Sequence, residues 1–284
     1  MMRFLNNSMP VSMIRKLFHG YFDEKVGQSA AELAYYLMFS LFPLLIFLNA
    51  ALSMLHFDPA DLLEKLNIVL PQEIVTLFTE YMEYIGGLRS DVLLYAGLIL
   101  TIYMMFRAVN SLANSVMTVY HIRSRGAWRY LRVLTFCLLL LVAVFVFFLV
   151  LVISGNLLGG LRRYLYIPGW FLRLWSLLRL VLAPICMLLL LWAFYYMVGK
   201  GEYRSRESLP GAVFALILWI GVTLGFSYYV ANIGSYSLLY GSLSTIMVLM
   251  LWLWLTGVAL IMGGVFNRAL AETMRERKPG DKAK

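Results

Sequence analysis

Apolar residues run along this chain in six long blocks, 33–55, 92–117, 133–153, 174–198, 209–231 and 239–266. Each is 21 to 28 positions long, and the stretches that separate them are richer in charge except the last, 232–238, which is polar and uncharged. At 1.5 Å of rise per residue even the shortest block reaches about 31 Å, the thickness of a bilayer's hydrocarbon layer. Each block therefore predicts a membrane-spanning helix. The first, 33–55, has no charged residue and carries Pro43 near its middle, where the ring lacks an N–H and crowds the carbonyl of Phe39. Hydrocarbon tolerates such a freed carbonyl only where a side chain, water or another helix satisfies it. Ser40 and Asn49 add two more polar groups to this block, so it is predicted to face other helices. The block 133–153 is almost pure Leu, Val and Phe and is predicted to face lipid.

The intervening segments are patterned too. Within 1–32, Ile14, Leu17, Phe18, Tyr21 and Phe22 recur at helical spacing and are flanked by Arg15, Lys16 and Lys25, the stripe of an interfacial helix lying on anionic headgroups. The segment 56–91 is acidic, with Asp58, Asp61, Glu64, Glu73, Glu80, Glu83 and Asp91 against Lys65 and Arg89. Leu62, Leu63, Leu66 and Leu70, then Ile74, Phe78, Tyr81, Met82 and Ile85, give it two apolar stripes, read as two short amphipathic helices over the outer mouth of the bundle. The chain thus divides into a cytoplasmic arm 1–32, a transmembrane domain 33–267 interrupted by the outer loop 56–91, and a basic tail 268–284. The fold class is an all-α membrane protein, a six-helix transmembrane bundle with an N-terminal interfacial helix.

Composition agrees with lipid as the solvent: 62% of residues are hydrophobic and 14% charged. The basic residues set the orientation. Seventeen Lys and Arg lie in the arm, the tail and the loops after the second and fourth blocks, and five lie on the opposite side. Both termini are predicted to be cytoplasmic, in an inner membrane. The net charge of +9 then reflects topology, and nucleic acid is not needed as a partner. The partners expected are membrane lipids with anionic headgroups, and a homo-oligomer is compatible with the pattern. Cys137 and Cys186 fall inside apolar blocks, so no disulfide framework is indicated. The histidines His19, His56 and His121 lack ligand spacing, and no P-loop is present, so no cofactor is expected.

Ionisable side chains inside spans are costly and turn inward or reach for the interface. Arg107 either pairs with Glu32 as an inner gate or extends its guanidinium to headgroups. Arg179 either faces the same interior or reaches outward. Asn110 and Asn114 stand four apart, on one helix face with Arg107. This stripe either lines a cavity for an anion, which a guanidinium fork suits, or binds helices together by hydrogen bonds. Glu32, Ser40, Pro43, Asn49, Arg107, Asn110, Asn114 and Arg179 are the candidate binding or gating residues.

Several local motifs resemble one family. Ala34-Tyr35-Tyr36 and Ser40-Leu41-Phe42-Pro43 open the first span. Leu209-Pro210-Gly211, Trp219, Phe226, Tyr229, Tyr236, Tyr240-Gly241-Ser242, Trp252, Gly263 and Phe266-Asn267 follow near the C-terminus. Over roughly residues 12–270 the chain resembles the YihY/BrkB family of bacterial inner-membrane proteins. Members often carry an acidic residue two places before the last Asn; here it is Val265. The resemblance implies a six-helix membrane protein. It also implies kinship with proteins once labelled ribonuclease BN, with a serum-resistance factor, and with relatives linked to envelope lipid or lipopolysaccharide export.

The ribonuclease label meets no support in the residues, because metal-assisted phosphodiester cleavage needs clustered carboxylates or histidines, and the cytoplasmic segments contain no such cluster. The chain is read as a non-enzyme. The function expected is a transporter or lipid translocator for an anionic amphiphile, with the kinked first and fourth spans moving against the fifth and sixth. The alternative is a non-transporting envelope scaffold.

Overall fold

The computed structural model describes residues 9–54, 76, 79–80, 91–122, 126–161, 169–199, 205–232 and 242–277, and their regular structure is entirely helical. Seven helices follow one another: α1 Met9–Asp23, α2 Val26–Met54, α3 Asp91–Val119, α4 Ala127–Leu161, α5 Gly169–Val198, α6 Ser205–Asn232 and α7 Ser242–Arg277. Five of them, α2, α3, α4, α6 and α7, are long and apolar enough to cross a membrane by length and composition. In α5 the described apolar stretch is Pro184–Val198. Of the expected helices in 56–91, only Thr76, Thr79 and Glu80 are described, all helical; the rest lies outside the described residues.

The helices overrun the apolar blocks. α2 starts at Val26 rather than 33, because Val26 and Ala30 are fully buried in the core. An apolar block marks where hydrocarbon begins, whereas a helix continues as long as packing favours it. α1 and α2 are separated by Lys25, whose φ of 51° places it in the left-handed region that ends many helices. His121 (φ 55°) closes α3 in the same way, with its N–H bonded to Thr118 and that of Ile122 bonded to Met117. That pairing satisfies two of the carbonyls a helix end leaves open.

α7 is the central element, packing against α6, α2, α1 and α3, while α2 and α3 form an extensive pair of their own. Close approach depends on small residues. A Cβ on Gly211 of α6 would collide with the Gly263 carbonyl and the Asn267 side chain of α7. Gly97 of α3 lies against the α2 backbone beside Pro43, where an added Cβ would stand 3.3 Å from the Phe47 nitrogen. Between these contacts lies a continuous interior of Leu33, Val116, Phe194, Tyr195, Ala212, Ala215 and Ile261. α4 packs mainly on α3 and is the most exposed of the five, 22% of its apolar stretch being buried, with α6 next at 28% and α3 and α7 at 44%. Leu131, Leu134, Leu138, Leu139, Val142 and Val146 of α4 are exposed, in keeping with its reading as a lipid-facing helix.

The stripe on α1 divides between two environments. Leu17 and Tyr21 pack on the core, and Gly20 sits against Val265 of α7. Ile14, Phe18 and Phe22, each four apart, are 66%, 64% and 59% exposed.

Candidate functional site

Two polar clusters lie at the end of the bundle where α1 meets α7. The first is closed on itself. Arg268 of α7 reaches Glu24 at 2.5 Å, Glu272 at 2.8 Å and the carbonyl of Val119 at 3.0 Å. A cation there meets the negative end of the α3 dipole as well as two carboxylates. Lys16 of α1 adds an ion pair to Glu272 at 3.8 Å, and His121 stands 3.8 Å from Glu24. One residue earlier, the buried Asn267 accepts a hydrogen bond from the Gly211 N–H at 2.6 Å. Its amide nitrogen donates to the Tyr120 hydroxyl at 3.1 Å and to the Ser208 carbonyl at 3.3 Å. Nearby, the Tyr195 hydroxyl donates to the Leu260 carbonyl at 2.5 Å. These groups lock α1, α3, α6 and α7 together.

The second cluster is open and lies on the outer face of α3 and α4. Ile99, Ile102, Tyr103 and Phe106 of α3 face Trp128, Tyr130, Leu131 and Leu134 of α4 across a groove of about 730 Å³. The α3 positions of that groove fall at i, i+3, i+4 and i+7, so the same face continues into Asn110 and Asn114. There the apolar lining ends. Nη2 of Arg129, which lies between the groove residues Trp128 and Tyr130, donates to the Asn110 carboxamide oxygen at 2.9 Å and also to that of Asn114. The Arg129 guanidinium stands 5.5 Å from the Tyr130 ring centre, and its Nε is buried without a hydrogen-bond partner.

Arg107, next to Phe106, donates to the Tyr36 hydroxyl of α2 and lies 4.8 Å from the centre of the same ring. A cation over an aromatic face is worth about 0.5–1 kcal/mol when exposed and about 2 when desolvated. Arg132 donates to the carbonyls of Trp128 and Met197, both at 3.4 Å. Among the described residues, none of these three arginines forms an ion pair with a carboxylate.

The candidates read from the sequence are thus sorted. Asn110 and Asn114 do act together, but on Arg129, and with Arg107 they face outward rather than into an enclosed cavity; Arg107 and Asn114 are exposed. Of the two alternatives for Arg107, the Glu32 pair is not formed at ion-pair distance, although Glu32 still acts on the guanidinium electrostatically. Tyr36, one turn beyond Glu32 on α2, takes the guanidinium, and Glu32 itself is exposed. Ser40 is buried with its hydroxyl donating to the Leu37 carbonyl at 2.7 Å, so it serves its own helix. Pro43 is buried inside an uninterrupted α2. Asn49 and Arg179 belong to α2 and α5, and their side chains lie outside the described residues.

Sequence reading passed over Arg129, counting it only toward topology. The signal available was Trp128-Arg129-Tyr130 at the mouth of a span, an aromatic-flanked cation typical of an interface. It also passed over Glu24 and Arg268, which lie 244 positions apart; nothing local connects them.

A multi-pass helical bundle with apolar faces turned outward defines an integral membrane protein. The comparison with known proteins makes this specific: residues 17–284 match the family described as virulence factor BrkB, and the chain belongs to that family. It is 30% identical over 263 residues to a ribonuclease-like protein YfkH of Bacillus subtilis (strain 168), covering 92% of this chain and 95% of that one. It is 27% identical over 277 residues to a UPF0761 membrane protein of Xanthomonas axonopodis pv. citri, covering 92% of this chain and 61% of the relative. A UPF0761 membrane protein of Xanthomonas oryzae pv. oryzae (strain PXO99A) is also 27% identical, over 287 residues and 63% of its length. The chain therefore spans less than two thirds of these Xanthomonas relatives. No solved structure matches it. The described residues contain no group of three or more His, Cys, Asp or Glu able to hold a metal ion.

Proposed function

We propose that this chain is a six-span inner-membrane protein with both termini cytoplasmic, and that it translocates an anionic amphiphile along the outside of its α3–α4 face. The observation that carries this reading is the outward stripe on α3. Tyr95, Tyr103, Arg107 and Asn114 are exposed, and Asn110 is half-buried beside them. From Tyr95 to Asn114 the stripe covers about 28 Å of helix, most of a hydrocarbon layer, with a polar group every one to two turns. A headgroup passed along it would exchange partners while its acyl chains stayed in lipid, so no water-filled passage through the bundle is required.

This replaces the mechanism expected from the prolines. The interior between α2, α3, α6 and α7 is packed apolar side chains, which supports a route on the outside rather than one opened by swinging the first and fourth spans. Residues 169–198, helical throughout, supply the sixth span, and α1 lies at the cytoplasmic surface with Ile14, Phe18 and Phe22 in the headgroup layer.

Reconstitution into proteoliposomes carrying a fluorescent anionic phospholipid tests the reading. Transbilayer movement should accelerate with protein and slow about tenfold in Arg107→Ala, a barrier raised by about 1.4 kcal/mol. The second reading, a non-transporting scaffold, draws on the exposed apolar ridge of α1; it is selected if no lipid moves under any composition.

A further inference from the structure

From the groove and the arginines at its end, we infer a resident binding site for one anionic phospholipid of the cytoplasmic leaflet, an acyl chain lying between α3 and α4 and its phosphate on Arg107 and Arg129. The inference deepens the proposed function and rests on the same face, but it concerns occupancy rather than movement.

Three independent features converge. The first is the polarity profile. Going along α3, the lining is Ile99, Ile102, Tyr103 and Phe106, with Asn110 and Asn114 following on the same face; on α4 it is Leu134, Leu131, Tyr130 and Trp128, with Arg129 between the last two turned to the asparagines. Both walls change from apolar to polar at the same level, so the site has a lipid's own sequence of chain and headgroup. The second is depth. Asn114 lies five residues from the end of α3, about 8 Å, which places the polar end at headgroup height and the groove among the acyl chains.

The third is charge. Arg129 is held by two neutral amide oxygens through a single nitrogen, and its buried Nε bonds to nothing. Among the described residues the hydrogen-bond partner of Arg107 is the Tyr36 phenol, and Glu32 acts on it from beyond ion-pair distance. Positive charge held near hydrocarbon without a counter-ion is costly, and an anion offsets that cost. Arg129 at the polar end and Arg107, three residues before Asn110 on α3, each present a planar fork that suits a phosphodiester. Glu32 of α2 is the acidic group facing this region; it is exposed and forms no ion pair with Arg107. The balance of one carboxylate against two arginines favours a monoanionic headgroup over a zwitterionic one.

Trp128 lines the groove and reports on it. The full chain is reconstituted in mixtures of phosphatidylcholine and phosphatidylglycerol, one lipid at a time carrying brominated chains, and the Trp128 signal is isolated by subtraction of Trp128→Phe. The expected result is quenching that favours brominated phosphatidylglycerol by at least about fivefold over its bulk fraction, with the preference falling to about one in Arg107→Ala/Arg129→Ala. Leu134→Phe, which narrows the groove without adding a fluorophore read by the assay and leaves both arginines in place, should abolish the preference in a protein with unchanged thermal unfolding. Inorganic phosphate at millimolar concentration should not displace the lipid, since it has no chain for the slot. Equal quenching by both lipids in the wild type, or a preference unaltered by the double substitution, overturns the inference. Displacement by phosphate alone also overturns it, replacing the lipid with a simple anion. A preserved preference without transbilayer movement keeps this site and removes the translocator; movement without preference does the reverse.

Discussion

The polar cluster around Arg268 and the one around Arg129 sit at the same end of the bundle and are built on opposite terms. At the first, each cation named meets a carboxylate: Arg268 has Glu24 and Glu272, and Lys16 has Glu272. The amide of Asn267 is used at both its oxygen and its nitrogen. At the second, three arginines meet a phenol, two carboxamides and two backbone carbonyls. Both clusters are hydrogen-bonded, so bond counting alone would not separate them. Charge compensation does. A closed set of charges has satisfied itself and serves the fold; an open set of one sign still attracts something from outside.

Substitutions should break or sharpen that contrast. The largest effect on stability is expected from Arg268→Ala. Glu24 has an 11% exposed side chain, and Arg268 itself is 27% exposed, so the change strands a nearly buried carboxylate at a cost of about 3–5 kcal/mol. Thermal unfolding in detergent measures it, and an effect below about 1 kcal/mol would show that the junction is not a lock. Asn267→Leu comes next. It removes the acceptor of the buried Gly211 N–H, at about 1–3 kcal/mol.

Gly263→Ala should follow, at about 1–3 kcal/mol of overpacking. Its new methyl would meet the Tyr195 hydroxyl and stand 2.7 Å from both the Ala215 Cβ and the Gly211 carbonyl. At the small end, Arg107→Ala should leave thermal unfolding close to that of the unaltered protein, because its guanidinium lies exposed on the Tyr36 ring, while lowering lipid movement about tenfold. If Arg107→Ala destabilised the protein as much as Arg268→Ala, the distinction between a closed and an open cluster would collapse.

Much of the architecture was legible in advance because the solvent imposes it. Hydrocarbon demands long apolar helices, and long apolar helices leave an unmistakable trace in one dimension. The i, i+4 spacing of Asn110 and Asn114 was equally plain, whereas the 133–153 block, read as facing lipid, divides between exposed Leu134, Leu138, Leu139, Val142 and Val146 and buried Val133, Phe136, Cys137 and Leu141. Partner choice was not legible. Glu32 and Arg107 have opposite charges and comparable depth, yet Tyr36 occupies the guanidinium; which side chain wins depends on where the turn of α2 points, and a sequence does not state it. Val265, where relatives often carry an acid, proves to be the surface on which Gly20 seats α1.

The chain by itself determined that it lives in a membrane, where its helices run and which faces of them are greasy, because those properties follow from local composition and from the 3.6-residue period. Only the tertiary structure decided that Asn110 and Asn114 hold Arg129 across two helices, that Glu24 meets Arg268, and that the polar stripe looks outward over a groove instead of inward to a cavity. Those outcomes depend on the crossing of helices distant in sequence. Close packing at small residues fixes that crossing, and no periodicity along one strand of text encodes it.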